Sequence, residues 1–288
     1  MSYTIGFSNL AESIPSCAYR RQTLEAAALQ YPDLHLVLRD NDLNDEKALA
    51  NVEEFARLPV DLAIIFHINE RLGSVLSQPL MKKSIPIIAV DVPILFTTYF
   101  GANNQRAGWL AGESLGQWIS ANWNGEIDRV LATAESRVTS IVRQRLDYAL
   151  KALAEHASYD ANRVLFMECG SNRTTAAQRA YEVLQGWPDS RRIAVIGIND
   201  DSALGVLDAA RVLGREADVA ISGQGADAAV REEMRRPNSP FIASTDFRMS
   251  DYGPRLIDLA VRILSGERVP SQNFIEHICV TQWSLAEE

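Results

Sequence analysis

Short, continuously apolar segments alternate with amphipathic ones from the first residues nearly to the last, and that alternation narrows the fold most. Candidate strands are Tyr3–Ser8, Leu34–Leu38, Leu62–Phe66, Pro86–Asp91 and Tyr99–Ala102, then Arg129–Thr133, Val164–Met167, Ile193–Ile198, Asp218–Ser222 and Phe241–Ser244. Unbroken apolar runs of this length are expected of parallel strands covered on both faces. Between them lie Ala18–Gln30, Asp45–Arg57, Gln105–Ala121, Val138–His156, Thr174–Gln185, Ser202–Leu213, Ala226–Arg235 and Asp251–Leu264. These carry apolar residues at helical spacing, as Leu49, Val52, Phe55 and Ala56 do in the second. Gly214 and Gly266 stand where helices stop. Strand–helix–strand repetition predicts an α/β protein with parallel sheets. There are more strands than one twisted sheet carries comfortably, which predicts two lobes with a boundary near Gly101–Asn104.

Composition excludes several classes. The chain has 288 residues, 47% hydrophobic and 23% charged, a globular mix. Its 28 basic and 37 acidic residues give a net charge of −9, which argues against a broad nucleic-acid surface and against an anionic membrane surface. Leu62–Phe66 and Ile85–Val90 are far too short to span a bilayer. Cys17, Cys169 and Cys279 are isolated and read as small apolar residues rather than a disulfide or zinc framework. Residues 1–8 lack a basic start and an apolar signal core. The expectation is a cytoplasmic protein, or a periplasmic or otherwise extracytoplasmic one whose upstream segment has been removed.

Two motifs suggest catalysis or nucleotide binding. Gly112-Glu113-Ser114-Leu115-Gly116 matches the G-x-S-x-G nucleophile elbow, but that chemistry needs a strand before the serine. Here the motif lies within a helical pattern, so its small residues are expected to allow close helix packing. Gly223-Gln224-Gly225-Ala226-Asp227-Ala228 matches G-x-G-x-x-A in a strand-to-helix setting. It follows a late strand and reads as a tight turn rather than a phosphate loop. His35, His67, His156 and His277 have no metal-ligand spacing; His67 reads as a polar strand cap. Arg20-Arg21 and Arg235-Arg236 read as solvated helix faces. Neither an enzymatic acid/base pair nor a nucleophile with supporting residues is present in the pattern. No catalytic residue, cofactor or metal is therefore expected.

Polar residues recur at the carboxyl ends of the strands, where open α/β sheets bind ligands. Ser8-Asn9, Asp91, Asn103-Asn104, Asn199-Asp200-Asp201, Gln224 and Thr245-Asp246-Phe247-Arg248 supply carboxylates, amides, a guanidinium and an aromatic ring. That set suits a polyhydroxylated ligand.

The chain resembles the type I periplasmic binding protein superfamily, which includes sugar-binding proteins of ABC transporters and the effector domains of LacI-type repressors. The resemblance is carried by Tyr3-Thr-Ile-Gly-Phe7, Ile85-Pro-Ile-Ile-Ala-Val-Asp91, Gly101-Ala-Asn-Asn-Gln-Arg-Ala-Gly108 and Val142-Arg-Gln-Arg145. It continues through Ile198-Asn-Asp-Asp-Ser-Ala-Leu-Gly205, Asp246-Phe247, Tyr252-Gly253 and Leu264-Ser-Gly-Glu-Arg-Val-Pro270. It implies two Rossmann-like lobes joined by a three-strand hinge, the first from 1–103 and 247–274, the second from 104–246 and 275–288. It implies a non-catalytic protein that closes on a sugar or polyol in an interlobe cleft and delivers it to an ABC permease. The implied ligand-binding residues are Asn9, Glu12, Asp91, Arg145, Asn199, Gln224 and Phe247. Gln224 stands where many members have Asp. Many members carry Asn-Pro-Phe-Phe after the first strand; Ser13-Ile14-Pro15-Ser16-Cys17 keeps the proline without the rings, leaving Tyr19, Phe96 or Phe247 to stack. The alternative is the effector domain of a LacI-type regulator without its DNA-binding segment. Nothing in the chain reads DNA, and nothing inserts into a membrane.

Overall fold

The computed structural model describes residues 2–136 and 140–286. The elements run β1 (Tyr3–Asn9), α1 (Pro15–Ala28), β2 (Leu34–Asp40), α2 (Asp45–Phe55), β3 (Leu62–Phe66), α3 (Gly73–Met81), β4 (Ile87–Val90) and β5 (Thr98–Ala102). Next come α4 (Asn104–Trp123), β6 (Arg129–Ala134), α5 (Ser140–His156), β7 (Val164–Glu168), α6 (Arg173–Gln185), β8 (Ile193–Ile196), α7 (Asp200–Val212) and β9 (Val219–Gly225). The chain ends with α8 (Ala228–Met234), β10 (Phe241–Asp246), α9 (Tyr252–Leu264), β11 (Gln272–Ile275), β12 (Ile278–Thr281) and α10 (Gln282–Ala286). The expected helix start at Val138 and positions 287 and 288 lie outside the described residues.

Two compact α/β units result, one from Met1–Ala102 and Arg248–Glu276, the other from Asn103–Phe247 and His277–Glu288. The chain passes between them at Ala102–Asn103, Phe247–Arg248 and Glu276–His277. The first unit's sheet has the order β11-β5-β4-β3-β1-β2, all parallel. The second has the order β12-β10-β9-β8-β6-β7 and is parallel except for β12, which runs antiparallel to β10. The expectation of parallel sheets therefore fails at that edge. Strands β11 and β12 are short and partly exposed, so they lack the apolar runs that reveal the others. Helix α3 was hidden by Pro79 within it, normally a helix breaker.

Both faces of each sheet are covered, as continuous apolar strands require. In the first unit Leu62, Ile64 and Phe66 face the core that holds Leu24 and Leu256, while Ala63 and Ile65 face the core that holds Val52, Phe55 and Leu80. In the second, Leu131, Val195 and Ile221 pack with residues of α6 and α7, while Val130, Ala132 and Ile196 pack with residues of α4 and α5.

The G-x-S-x-G stretch lies inside α4, as its helical pattern implied. A Cβ at Gly108 would run into the Arg145 carbonyl, one at Gly112 into the Ala149 carbonyl, and one at Gly116 into the His156 side chain. These glycines, one per helical turn, let α5 approach at backbone distance. Ser114 is not an exposed nucleophile; its hydroxyl lies 3.1 Å from Cys279 Sγ. Helix propensity alone would make Gly112→Ala stabilising by up to about 1 kcal/mol. The α5 backbone in its path predicts the opposite, a loss of about 2 kcal/mol or more, read as a lower urea midpoint. An unchanged or raised midpoint would contradict this packing.

Candidate functional site

In the first unit the site is built around Asp91, just past β4. Its backbone is left-handed, with φ 58°. Gly101 on the neighbouring β5 makes room for it, since a Cβ there would strike the Asp91 side chain and backbone. One carboxylate oxygen, Oδ2, takes a 2.8 Å ion pair from Arg20 Nη2. The other, Oδ1, accepts the Tyr252 hydroxyl at 2.9 Å and the Ala102 N–H at 3.2 Å. The Asp91 side chain keeps 21% of its surface exposed. Burial, and then the adjacent Asp91 charge, hold the Tyr252 phenol well above its ordinary range, so it remains a donor.

Arg20 corrects the reading of Arg20-Arg21 as a solvated pair. It is only 4% exposed, and its guanidinium lies 4.1 Å from the Phe66 ring centroid and 4.6 Å from that of Tyr252. Its Nε and Nη1 have no hydrogen-bond partner among the described residues. Arg21 remains partly exposed and pairs with Glu12 at 2.8 Å and Glu25 at 2.6 Å. Asn9 is fully buried: it donates to Glu12 Oε1 at 2.7 Å and to the Cys17 carbonyl at 3.1 Å, while its Oδ1 accepts from the Leu10 N–H. Asn9 therefore anchors Glu12 and the start of α1. His67 also caps its strand, with Nε2 2.8 Å from Asp45 Oδ1. Tyr19 and Phe96 are exposed, Phe96 almost entirely.

In the second unit Arg145 projects from α5 to the first turn of α4, donating from Nε to Asn104 Oδ1 at 2.6 Å. Its guanidinium lies 4.5 Å from the Phe247 ring centroid. Phe247 meets His277 edge-on at 5.3 Å, and His277 Nε2 accepts the Asn103 N–H at 2.9 Å. Two expected residues have mainly structural partners. Asn199 caps α7, its Oδ1 accepting from the Ser202 N–H at 3.0 Å and its Nδ2 donating to the Ser171 carbonyl at 3.0 Å. Gln224 is 2% exposed; its Nε2 makes a long 3.4 Å contact to the Ala107 carbonyl, and its Oε1 has no partner among the described residues. The structure thus joins Asn9 to Glu12 and Arg145 to Phe247. Asp91's bonds go instead to Arg20, Tyr252 and Ala102, and sequence reading missed the first two.

The G-x-G-x-x-A turn is occupied from within. Asp200 takes the space where a Cβ at Gly223 would go, accepts the Ser244 hydroxyl at 2.6 Å on Oδ1 and accepts the Asp227 N–H at 3.1 Å on Oδ2. An internal carboxylate holds the loop's donors, which favours the tight turn over a phosphate cradle. Burial, reinforced by the Asp227 charge, pushes the Asp200 carboxyl up to about 7. Burial also raises all three thiols above their ordinary range, which makes them poor nucleophiles. Among the described residues no group of three His, Cys, Asp or Glu is placed to hold a metal, and no helix is long and apolar enough to cross a membrane.

Residues 5–268 match the family described as periplasmic binding protein domain. No curated protein matches the chain. Among solved structures, it is similar to an ABC transporter solute-binding protein of Bacillus halodurans C-125 with bound myo-inositol, at 20% identity and TM-score 0.83, covering 99% of this chain and 96% of that one. A periplasmic solute-binding protein of Actinobacillus succinogenes 130z with bound D-allose gives 20% identity and TM-score 0.82, with 100% of both chains covered. The arabinose transporter's binding protein from Shewanella sp. ANA-3, bound to L-arabinofuranose, gives 18% identity and TM-score 0.80, covering 99% and 93%.

The raised Asp200 carboxyl has a consequence for stability. The folded form holds this proton to about pH 7, whereas an unfolded aspartate releases it near 4. Asp200's contribution is therefore complete below about pH 4 and is lost as pH rises to about 7. The unfolding free energy of the wild type, minus that of Asp200→Asn, should fall across that window in parallel denaturation series. A constant difference would contradict a buried, proton-holding Asp200.

Proposed function

Because the chain belongs to the periplasmic binding protein domain family, whose members bind solutes without catalysis, we propose that it is the sugar- or polyol-binding component of an ABC importer. It works outside the cytoplasm and hands its ligand to a membrane permease. Asp91 is the observation that carries this reading. It is a carboxylate fixed on both oxygens, yet still partly open at a strand end, where a ligand hydroxyl can donate to it. The reading is supported by the likeness of the whole chain to solute-binding proteins solved with myo-inositol, D-allose and arabinofuranose.

We assign Asp91 as the first unit's principal acceptor, with Glu12 beside it and Asn9 holding Glu12 in place. Arg145 is the second unit's principal donor, its guanidinium against the Phe247 ring and its Nε bonded to Asn104. Asn199 completes the set through an amide that also caps α7, whereas Gln224, only 2% exposed and with its Oε1 enclosed, supports the turn behind the site rather than touching the ligand.

A thermal-shift screen of sugars and polyols should find ligands that raise the melting temperature. For the tightest of them, Asp91→Ala and Arg145→Ala should each weaken binding by about 2 kcal/mol or more, the usual cost of losing a charge-assisted hydrogen bond. Calorimetry giving wild-type affinity in both variants would overturn the assignment.

A further inference from the structure

The Arg20–Asp91 pair is costly as a device for stability alone. Arg20 is 4% exposed and leaves Nε and Nη1 without partners among the described residues. Replacing a buried ion pair with apolar side chains is often neutral or stabilising, and this site, walled by Phe66 and Tyr252, would accept an apolar chain. The guanidinium does have a specific effect on Asp91. A carboxylate offers about four lone-pair positions. Arg20 takes one on Oδ2, and Tyr252 and the Ala102 N–H take two on Oδ1. About one remains for anything else. Because each carboxylate oxygen is held from a different direction, that remaining position points one way.

We propose that Arg20 is a specificity-determining residue that acts through Asp91, restricting it to a single ligand hydroxyl in a fixed direction. This rests on the sugar-binding reading and deepens it. An Asp91 free to rotate could grip two neighbouring hydroxyls in several arrangements, and so would tolerate epimers. Clamped by Arg20 and Tyr252, it accepts one hydroxyl and rejects sugars in which that position is inverted or lacking. Arg20 is a positioning residue in this account. Both of its free nitrogens are enclosed, and only Asp91 presents surface to a ligand. Neither Arg20 nor Tyr252 reads as a site residue in sequence, yet both lie on buried helix faces, beside Leu24 and Leu256 respectively.

The test is calorimetric titration of D-glucose, D-galactose, D-allose, L-arabinose and myo-inositol. The proteins are wild type, Arg20→Met, Arg20→Lys, Tyr252→Phe, Asp91→Asn and the Arg20→Met/Asp91→Asn double variant. Arg20→Met should weaken the tightest ligand about tenfold or more and shrink its margin over the next. Tyr252→Phe should shrink that margin too. Arg20→Lys keeps the charge without the planar fork and should recover part of the loss. In the Asp91→Asn background Arg20→Met should change affinity by no more than about twofold, because its route to the ligand is already gone. If Arg20→Met fails to fold, Tyr252→Phe and Arg20→Lys carry the same comparison. Unmoved affinities and margins in these variants would overturn the proposal, as would an equal loss from Arg20→Met with and without Asp91. Binding of none of the panel by the wild type would instead overturn the sugar-binding reading, and this inference with it.

Discussion

A carboxylate withdrawn from water, wholly or in part, at the end of a parallel strand must be met by donors or give up its charge, and the two units meet that demand differently. Asp91 is met by three donors, one of them cationic. Asp200 is met by the Ser244 hydroxyl and the Asp227 N–H without a cation, and its carboxyl is pushed up to about 7. The first arrangement leaves the acid partly exposed at the surface of its unit. The second stores a proton inside and uses the carboxylate to shape the turn that carries Gln224. In both places glycine is required opposite the acid, at Gly101 and at Gly223, because any Cβ would strike its oxygens.

The aromatic rings follow from the same demand. Phe66 and Tyr252 flank Arg20, and Phe247 supports Arg145. A ring face holding a guanidinium is not available to a sugar. Here each of these rings lies within 4.6 Å of a guanidinium that the hydrogen bonds hold in place. Where the Asn-Pro-Phe-Phe segment would lie, Cys17 is buried in the core, and Tyr19 and Phe96 are exposed.

Most of the architecture was legible because parallel strands covered on both faces leave unbroken apolar runs, as Leu62–Phe66 and Ile193–Ile196 do. The glycine spacing in α4 was legible for a related reason, since a helical pattern on both sides excludes a strand-to-helix elbow. Site residues were harder to read, because strand ends are also helix starts. Asn103, Asn172, Asn199 and Asp227 all cap helices, and an amide needed for a cap looks the same in sequence as one kept for a ligand. Arg20 was misread by being paired with its neighbour. Helical arithmetic places it with Cys17, Leu24 and Ala27 on the buried face, and that was the available signal. The partners of Tyr252 and Gln224 come from segments far away in the chain, so no local pattern discloses them.

Hydrogen exchange of the whole protein, with and without a saturating sugar or polyol from the screen, tests the central claim most directly. The account predicts slowed exchange in two places at once: the Ala102 amide and its neighbours around Asp91, and the first turn of α4 and second turn of α5 around Asn104 and Arg145. Slowing confined to one of these places, or found in neither under saturation, would contradict it.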